Sequence, residues 1–510
     1  MDDQHTGQNT DRETDASPDA SPDASPDASP DANAAFIETF RRFMDELINA
    51  PRPVTVMRTP LGEVVQAHLA ADVATLPLVT EDVPPHRLID ADIALDELAA
   101  TSGSDLDLAH LIGVTGGQQR ESSSFPELLS NPFFQYAPGP VDYVTSATGP
   151  DSERRVVSFG LRLFTIGGQP IAVLQRGPKP EFGRNTARLE ILATDPAGSA
   201  LLLTELRRLM LLRSVLRGHV LTFSGNEYGY GAAGADFLPR PQVSAADVIL
   251  APGTLDAVVR HVVGIGEHRD ALRKAGQHLK RGVLLYGPPG SGKTLTVRHL
   301  LSVTAGTTAV VLTGNSIQFI TQAAELARAM QPAIVVLEDV DLIAGDRDLS
   351  SMPQPLLFAM LDALDGLDGD ADVAFVLTTN RVDVLERALA DRPGRVDLAV
   401  EIPIPDTATR ERLFALYAAG LPLSPAAVAV AARQAEGVTG SFAKELMRRT
   451  VLLGAEAGRE PTDADLAEAL GSLLSSREHL TRRLLGHHPA PDPADRADQS
   501  DPDPTGRLDG

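Results

Sequence analysis

The sequence contains no cysteine, which excludes disulfides and cysteine-ligated zinc and agrees with a reducing compartment. It has no uninterrupted apolar run of membrane-spanning length; the most apolar helical stretch, 198–216, is broken by Arg207, Arg208 and Arg213. Its first residues are acidic and polar, the opposite of a secretory leader, so a cytoplasmic protein without a membrane span is expected. No basic patch is interleaved with aromatics, so binding to DNA, RNA or an anionic membrane is not expected. Lysine is scarce, five of 45 basic residues, which together with abundant alanine reads as the imprint of a GC-rich genome rather than of a function. The histidines, among them His110, His261, His268, His278 and His299, form no ligand cluster, and His487-His488 sit in a polar tail. Neither a Ser/His/Asp elbow nor a protease zinc motif is present, which argues against proteolysis by this chain.

At 510 residues, with 43% hydrophobic and 22% charged, the chain has room for two to four domains with cores of their own. The net charge of −24 is concentrated at the ends. Residues 1–35 carry nine carboxylates against Arg12, and residues 487–510 carry six against Arg496 and Arg507. Between residues 15 and 32, Asp-Ala-Ser-Pro repeats four times, with nothing apolar to collapse; the expectation is a disordered acidic arm over 1–35 and a similar tail over 485–510.

From Phe36 the pattern changes. Phe36, Phe40, Phe43, Leu47 and Ile48 recur at helical spacing and predict an amphipathic helix over 35–49. Short mixed elements follow, with a helical stretch near 104–113. Alternating apolar residues from Val156 to Phe164, a Gly167-Gly168 turn and Ile171–Leu174 predict a hairpin. A strand (188–193), a helix (198–216) and a strand (219–223) complete an α+β domain over 36–240, which ends in a glycine-rich stretch and Pro239-Arg240-Pro241 as linker. Strands and helices alternate over 241–406, predicting a parallel sheet covered by helices. After Pro405 the periodicity is only helical (408–420, 424–435, 441–456, 463–474), a small helical domain over 407–484.

The chemistry lies in that second half. Gly287-Pro288-Pro289-Gly290-Ser291-Gly292-Lys293-Thr294 is a complete P-loop between the apolar strand 283–286 and a helix. Its glycines let N–H groups turn toward a phosphate, Lys293 reaches the β/γ oxygens, and the Thr294 hydroxyl ligates Mg²⁺; the binding set runs from Gly287 through Leu295. Ala333-Ile-Val-Val-Leu-Glu338-Asp339-Val340-Asp341 is an apolar strand ending in acids, a Walker B arrangement with the usual Asp-Glu order reversed. By position, Glu338 faces the metal and Asp339 the attacking water. Thr378-Thr379-Asn380-Arg381 ends another strand, where the amide can orient that water. Asp391-Arg392-Pro393-Gly394-Arg395-Val396-Asp397 offers two guanidinium groups suited to transition-state charge.

The order and spacing of 287–294, 334–341, 378–380 and 392–397 resemble the AAA family of ATPases. Gly437-Val-Thr-Gly440-Ser-Phe-Ala resembles the family's lid segment near the adenine, and Asp247-Val248 to Gly253 the segment whose backbone meets that base. The resemblance covers about 245–456. It implies an α/β P-loop motor with a helical lid, ATP and Mg²⁺ as ligands, a homo-oligomer that is hexameric in most of the family, and Arg392 and Arg395 as fingers acting in trans. One departure concerns the pore: Thr313-Gly-Asn-Ser-Ile-Gln-Phe319-Ile320 passes almost directly into a helix, several residues too short for the aromatic-Gly loop of protein-threading members, and Phe319 reads as a core residue. The short loop and the Glu-Asp order are similar to the mitochondrial AAA translocase that assembles respiratory complex III. Two functions follow as expectations: an ATPase that remodels a protein client recognised by 36–240, or a nucleotide-dependent switch whose ATP state controls assembly.

Overall fold

The computed structural model describes residues 30–49, 57–101, 110–224, 234–341, 370–382 and 396–475. The chain divides into two compact units, 1–57 and 58–510. Within the first, helix α1 (Pro30–Asn49) starts several residues ahead of the predicted stripe, with proline at its first position, where the missing N–H costs nothing. Phe36, Ile37, Phe40 and Phe43 are exposed on it, and the Phe36 and Phe40 rings, one turn apart, stack at 6.2 Å.

The second unit opens with an antiparallel sheet. Its strands are β1 (Leu78–Val83), β2 (His110–Val114), β3 (Pro138–Gly139), β4 (Asp142–Gly149), β5 (Ser152–Ile166), β6 (Gln169–Arg176) and β7 (Ala187–Ala193), in the order β1-β7-β6-β5-β2-β3 with β4 also on β5. The two-residue alternation along β5 explains why both faces are covered. Phe159, Leu161 and Leu163 point to a core shared with helix α2 (Pro60–Leu69). Val156 and Phe164 point the other way, toward α3 (Leu88–Thr101) and α4 (Pro196–Leu212). Arg162 lies on this second face, 3% exposed, where Asp92 accepts its Nη2–H at 2.6 Å, so the buried charge is paired. The helical stretch expected near 104–113 is not found where the chain is described: His110–Val114 form a strand, His110–Ile112 pairing with β5 and Gly113-Val114 with β3, while 102–109 lie outside the described residues. Non-local pairing and the burial of Val114 outweigh local propensity there.

The next sheet holds β8 (Val220–Ser224), β9 (Gly234–Leu238), β10 (Arg281–Tyr286), β11 (Thr308–Thr313), β12 (Ala333–Glu338), β13 (Val373–Thr379) and β14 (Leu398–Glu401), in the order β14-β10-β13-β12-β11-β8-β9. All neighbouring pairs are parallel except β8 with β9. Strand β13 is buried along its whole length, as a central strand covered on both faces must be. Segment 219–223, grouped by its sequence with the preceding α+β region, thus hydrogen-bonds to the P-loop sheet: the chain after α4 continues into β8, which pairs with β11 on one side and β9 on the other. Helices α5 (Lys293–Val303) and α6 (Ile320–Ala329) flank this sheet. Between β11 and α6 lies only the 3₁₀ turn Gly314–Phe319, and Phe319, partly buried, packs against the core with its ring 6.1 Å from that of Phe223.

Four helices close the described chain: α7 (Thr407–Ala418), α8 (Pro425–Gln434), α9 (Gly440–Glu456) and α10 (Asp463–Leu474). Their start signals are local. Asp406 accepts from Thr409 N at 2.8 Å, and Ser424 caps α8 ahead of a proline at its first position. Phe414, Val428, Phe442, Leu446 and Leu470 fill the core between them. Among the described residues no helix is long and apolar enough to cross a membrane.

Candidate functional site

The P-loop leaves the C-terminal end of β10 and runs into α5. Gly287 has φ +148°, and a Cβ there would collide with the Ile402 carbonyl, because β14 approaches closely enough for Ile402 N to donate to Tyr286 O at 2.7 Å. Only glycine fits. Gly290 (φ +75°) lies under the first turn of α9, where a Cβ would run into the Ser441 side chain. Lys293 is 6% exposed, and its Nζ donates to Gly287 O (2.8 Å) and Pro288 O (2.9 Å). Burial pushes its pKa down to about 8, even though Asp339 and Asp341 pull the other way.

The acids stand across from it. Glu338 ends β12 with the Thr294 hydroxyl near its carboxylate, so the two residues expected at the metal are neighbours. Burial and the Asp339 charge raise the Glu338 pKa, while Thr294 and Arg298 hold it down. Asp339 takes φ +53°, a left-handed conformation that costs a non-glycine residue roughly 1–2 kcal/mol. Its neighbour strand holds it there: Asp339 N donates to Thr378 Oγ1 and Val340 N to Thr378 O, both at 3.0 Å. Asn380 Nδ2 donates to Asp339 Oδ1 at 3.2 Å, so the amide steadies the acid. Asp341, which the sequence left without a role, accepts from Thr379 Oγ1 (2.9 Å) and Asn380 N (3.0 Å) and ties the two strand ends together.

Gly290, Lys293, Thr294, Asp339 and Asn380 line one cavity of about 450 Å³, within the range of small-molecule sites, whereas Glu338 and Asp341 are not in its lining. One wall is the P-loop with Asp339 and Asn380, another is Val248–Leu250, and the lid supplies Leu413, Tyr417, Gly440, Ser441 and Lys444. Leu413 and Tyr417 are four apart on α7, a spacing that places both on one face. Ser441 lies in the Gly437–Ala443 segment that the sequence singled out, whereas Tyr417, Lys444 and Arg298 carry no motif. The i, i+4 pair points to Tyr417 and the polar first turn of α9 to Lys444, while no such signal marks Arg298.

The set suits a nucleotide. A cradle closed to Cβ atoms, a buried lysine and the buried Ser291 Oγ, which has no hydrogen-bond partner, fit a phosphate chain. Thr294 and Glu338 fit Mg²⁺, which is held by one or two protein oxygens together with phosphates and water. Among the described residues no three His, Asp or Glu side chains form a self-contained metal cage. Arg392 and Arg395 lie outside the described residues.

Comparison with known proteins agrees with this geometry. Residues 283–404 match the family described as "ATPase family associated with various cellular activities (AAA)". The chain is 28% identical over 276 residues to the proteasome-activating nucleotidase of Thermococcus onnurineus, covering 50% of this chain and 67% of that protein. It is 31% identical over 261 residues to the ATP-dependent zinc metalloprotease FtsH 3 of Sphaerobacter thermophilus, covering 48% and 52%. With the proteasome-activating nucleotidase of Saccharolobus solfataricus it shares 27% over 268 residues, covering 48% and 66%. The matches thus span about half of this chain and between half and two thirds of these relatives.

Proposed function

Through residues 283–404 the chain belongs to the AAA family of ATPases, and from that premise we propose that it is an oligomeric motor that turns ATP hydrolysis into remodelling of a protein partner. The observation that carries this reading is the convergence of Lys293, Asp339, Asn380 and the lid residues Ser441 and Lys444 on a single cavity. Lys293 neutralises the β/γ-phosphates. Thr294 and Glu338 hold Mg²⁺, which when bound neutralises phosphate charge. Asp339 takes the proton of the attacking water, and Asn380 keeps its carboxylate aimed. Arg392 and Arg395 act on the nucleotide of the neighbouring subunit in a ring, and 36–240 is the region that meets the client. The finer likeness to the complex III assembly translocase rests on the sequence features alone.

The short β11–α6 connection favours a ring that acts on its client without drawing a chain through the centre. The switch reading draws on the same feature. Turnover measured with rising protein concentration, and then with a candidate client, separates the two. A motor gains activity on assembly and again on client addition; slow turnover that responds to neither supports the switch.

A further inference from the structure

Between β9 and the nucleotide cavity the chain forms a strap, residues 239–250, laid along α5. At one end Val248–Leu250 line the cavity. In the middle, Val243 O accepts from His299 Nδ1 (2.9 Å) and Ser302 Oγ (2.8 Å), both on α5. At the far end stands Arg240, between two prolines that restrict the backbone around it to extended geometry.

The hydrogen bonds of Arg240 are unusual for a half-buried guanidinium. Nη1 donates to Leu301 O (2.7 Å) and Thr304 O (3.2 Å), at the end of α5, and Nη2 to Gly218 O (3.0 Å) and Thr307 O (2.7 Å), which precede β8 and β11. All four acceptors are main-chain carbonyls. Burial without a compensating acid lowers its pKa. The carbonyls at the C-terminal end of α5 carry the negative end of the helix dipole, which is where a cation is stabilised. Helix α5 is 11 residues long, about 16 Å, and its opposite end is Lys293. Arg240 is therefore the joint at which the P-loop helix, the strap and the starts of two strands meet. Beyond it, β9 touches β4 of the antiparallel sheet, completing a chain of contacts from cavity to N-terminal layer.

We propose that Arg240 is a positioning residue that couples nucleotide occupancy to the β8–β9 hairpin and, through it, to the antiparallel sheet. A phosphate drawing on Lys293 and the P-loop pulls on α5 at one end, and Arg240 passes that displacement to the hairpin at the other. The coupling is reciprocal, so a client that shifts the hairpin alters nucleotide affinity by the same factor. This rests on nucleotide binding in the cavity described above.

The test is amide hydrogen exchange of β9, 234–238, in the full chain with and without Mg²⁺ and a slowly hydrolysed ATP analogue, with calorimetry on the same samples. In the unaltered protein the analogue should change exchange at β9 by about fivefold or more, the lower end of coupling between sites. Arg240→Gln should still bind the analogue but lose that change. Arg240→Lys keeps the charge on the helix end but cannot span two pairs of carbonyls, and should keep a partial change. Unchanged exchange at β9 in the unaltered protein despite bound analogue, or a full response in either variant, would overturn the proposal. Absence of binding heat in the unaltered protein would instead show that the nucleotide reading has failed.

Discussion

Raising the pH should weaken ATP binding through a single side chain. Burial places the Lys293 pKa at about 8 before nucleotide arrives, so the ammonium is mostly present at pH 7 and mostly absent at pH 9. Phosphate oxygens stabilise the charged form and raise that pKa in the complex. Between the two values, binding must take up a proton. The sign follows: affinity is full below about 8 and falls as pH rises through it. The protonated fraction of the free protein drops roughly tenfold between pH 7 and 9, so affinity should fall by the same factor, about 1.4 kcal/mol. Titration calorimetry in buffers of different ionisation enthalpy reads both quantities, and proton uptake should approach one per ATP near pH 9. Constant affinity from pH 7 to 9 with no proton uptake would refute the assignment of a depressed lysine to the phosphate cradle.

Other perturbations separate the roles of individual residues. Asp339→Asn should leave ATP bound and slow hydrolysis by roughly 10²-fold or more, on the scale of general-base removal, whereas Glu338→Gln should first weaken the dependence on Mg²⁺; single-turnover assays across Mg²⁺ concentrations tell them apart, and the opposite pattern would exchange the roles. Gly290→Val should cut ATP affinity while preserving the helical content seen by circular dichroism, since its side chain would displace Ser441 and the lid without touching either core. Subunits carrying Arg392→Ala and Arg395→Ala, mixed with Lys293→Ala subunits, should regain turnover that neither shows alone; full activity in a demonstrated monomer would rule out the trans role.

The local parts of the site were legible in the sequence because each is a short run with its own strand or helix attached. The P-loop, the Glu338-Asp339 strand end and Asn380 belong to this class, and the four lid helices announced themselves by their period. What depended on non-local pairing was not legible. Segment 219–223 has the alternation of any strand, and nothing in it tells that its partner is β11 rather than β7. His110–Val114 sits in a stretch whose apolar spacing also suits a helix, and only pairing with β5 and β3 makes it a strand. Tyr417 and Lys444 lie well over a hundred residues after the P-loop, and the packing of α7 and α9 is what brings them to it.

The central claim, that ATP binds and is hydrolysed in the cavity around Lys293, is tested most directly by calorimetry of Mg²⁺-ATP binding, with phosphate release, for the unaltered protein and Lys293→Ala. The account predicts binding and turnover in the first, with both lost in a variant whose circular dichroism spectrum is unchanged. A folded Lys293→Ala protein that binds and hydrolyses ATP like its parent would contradict it.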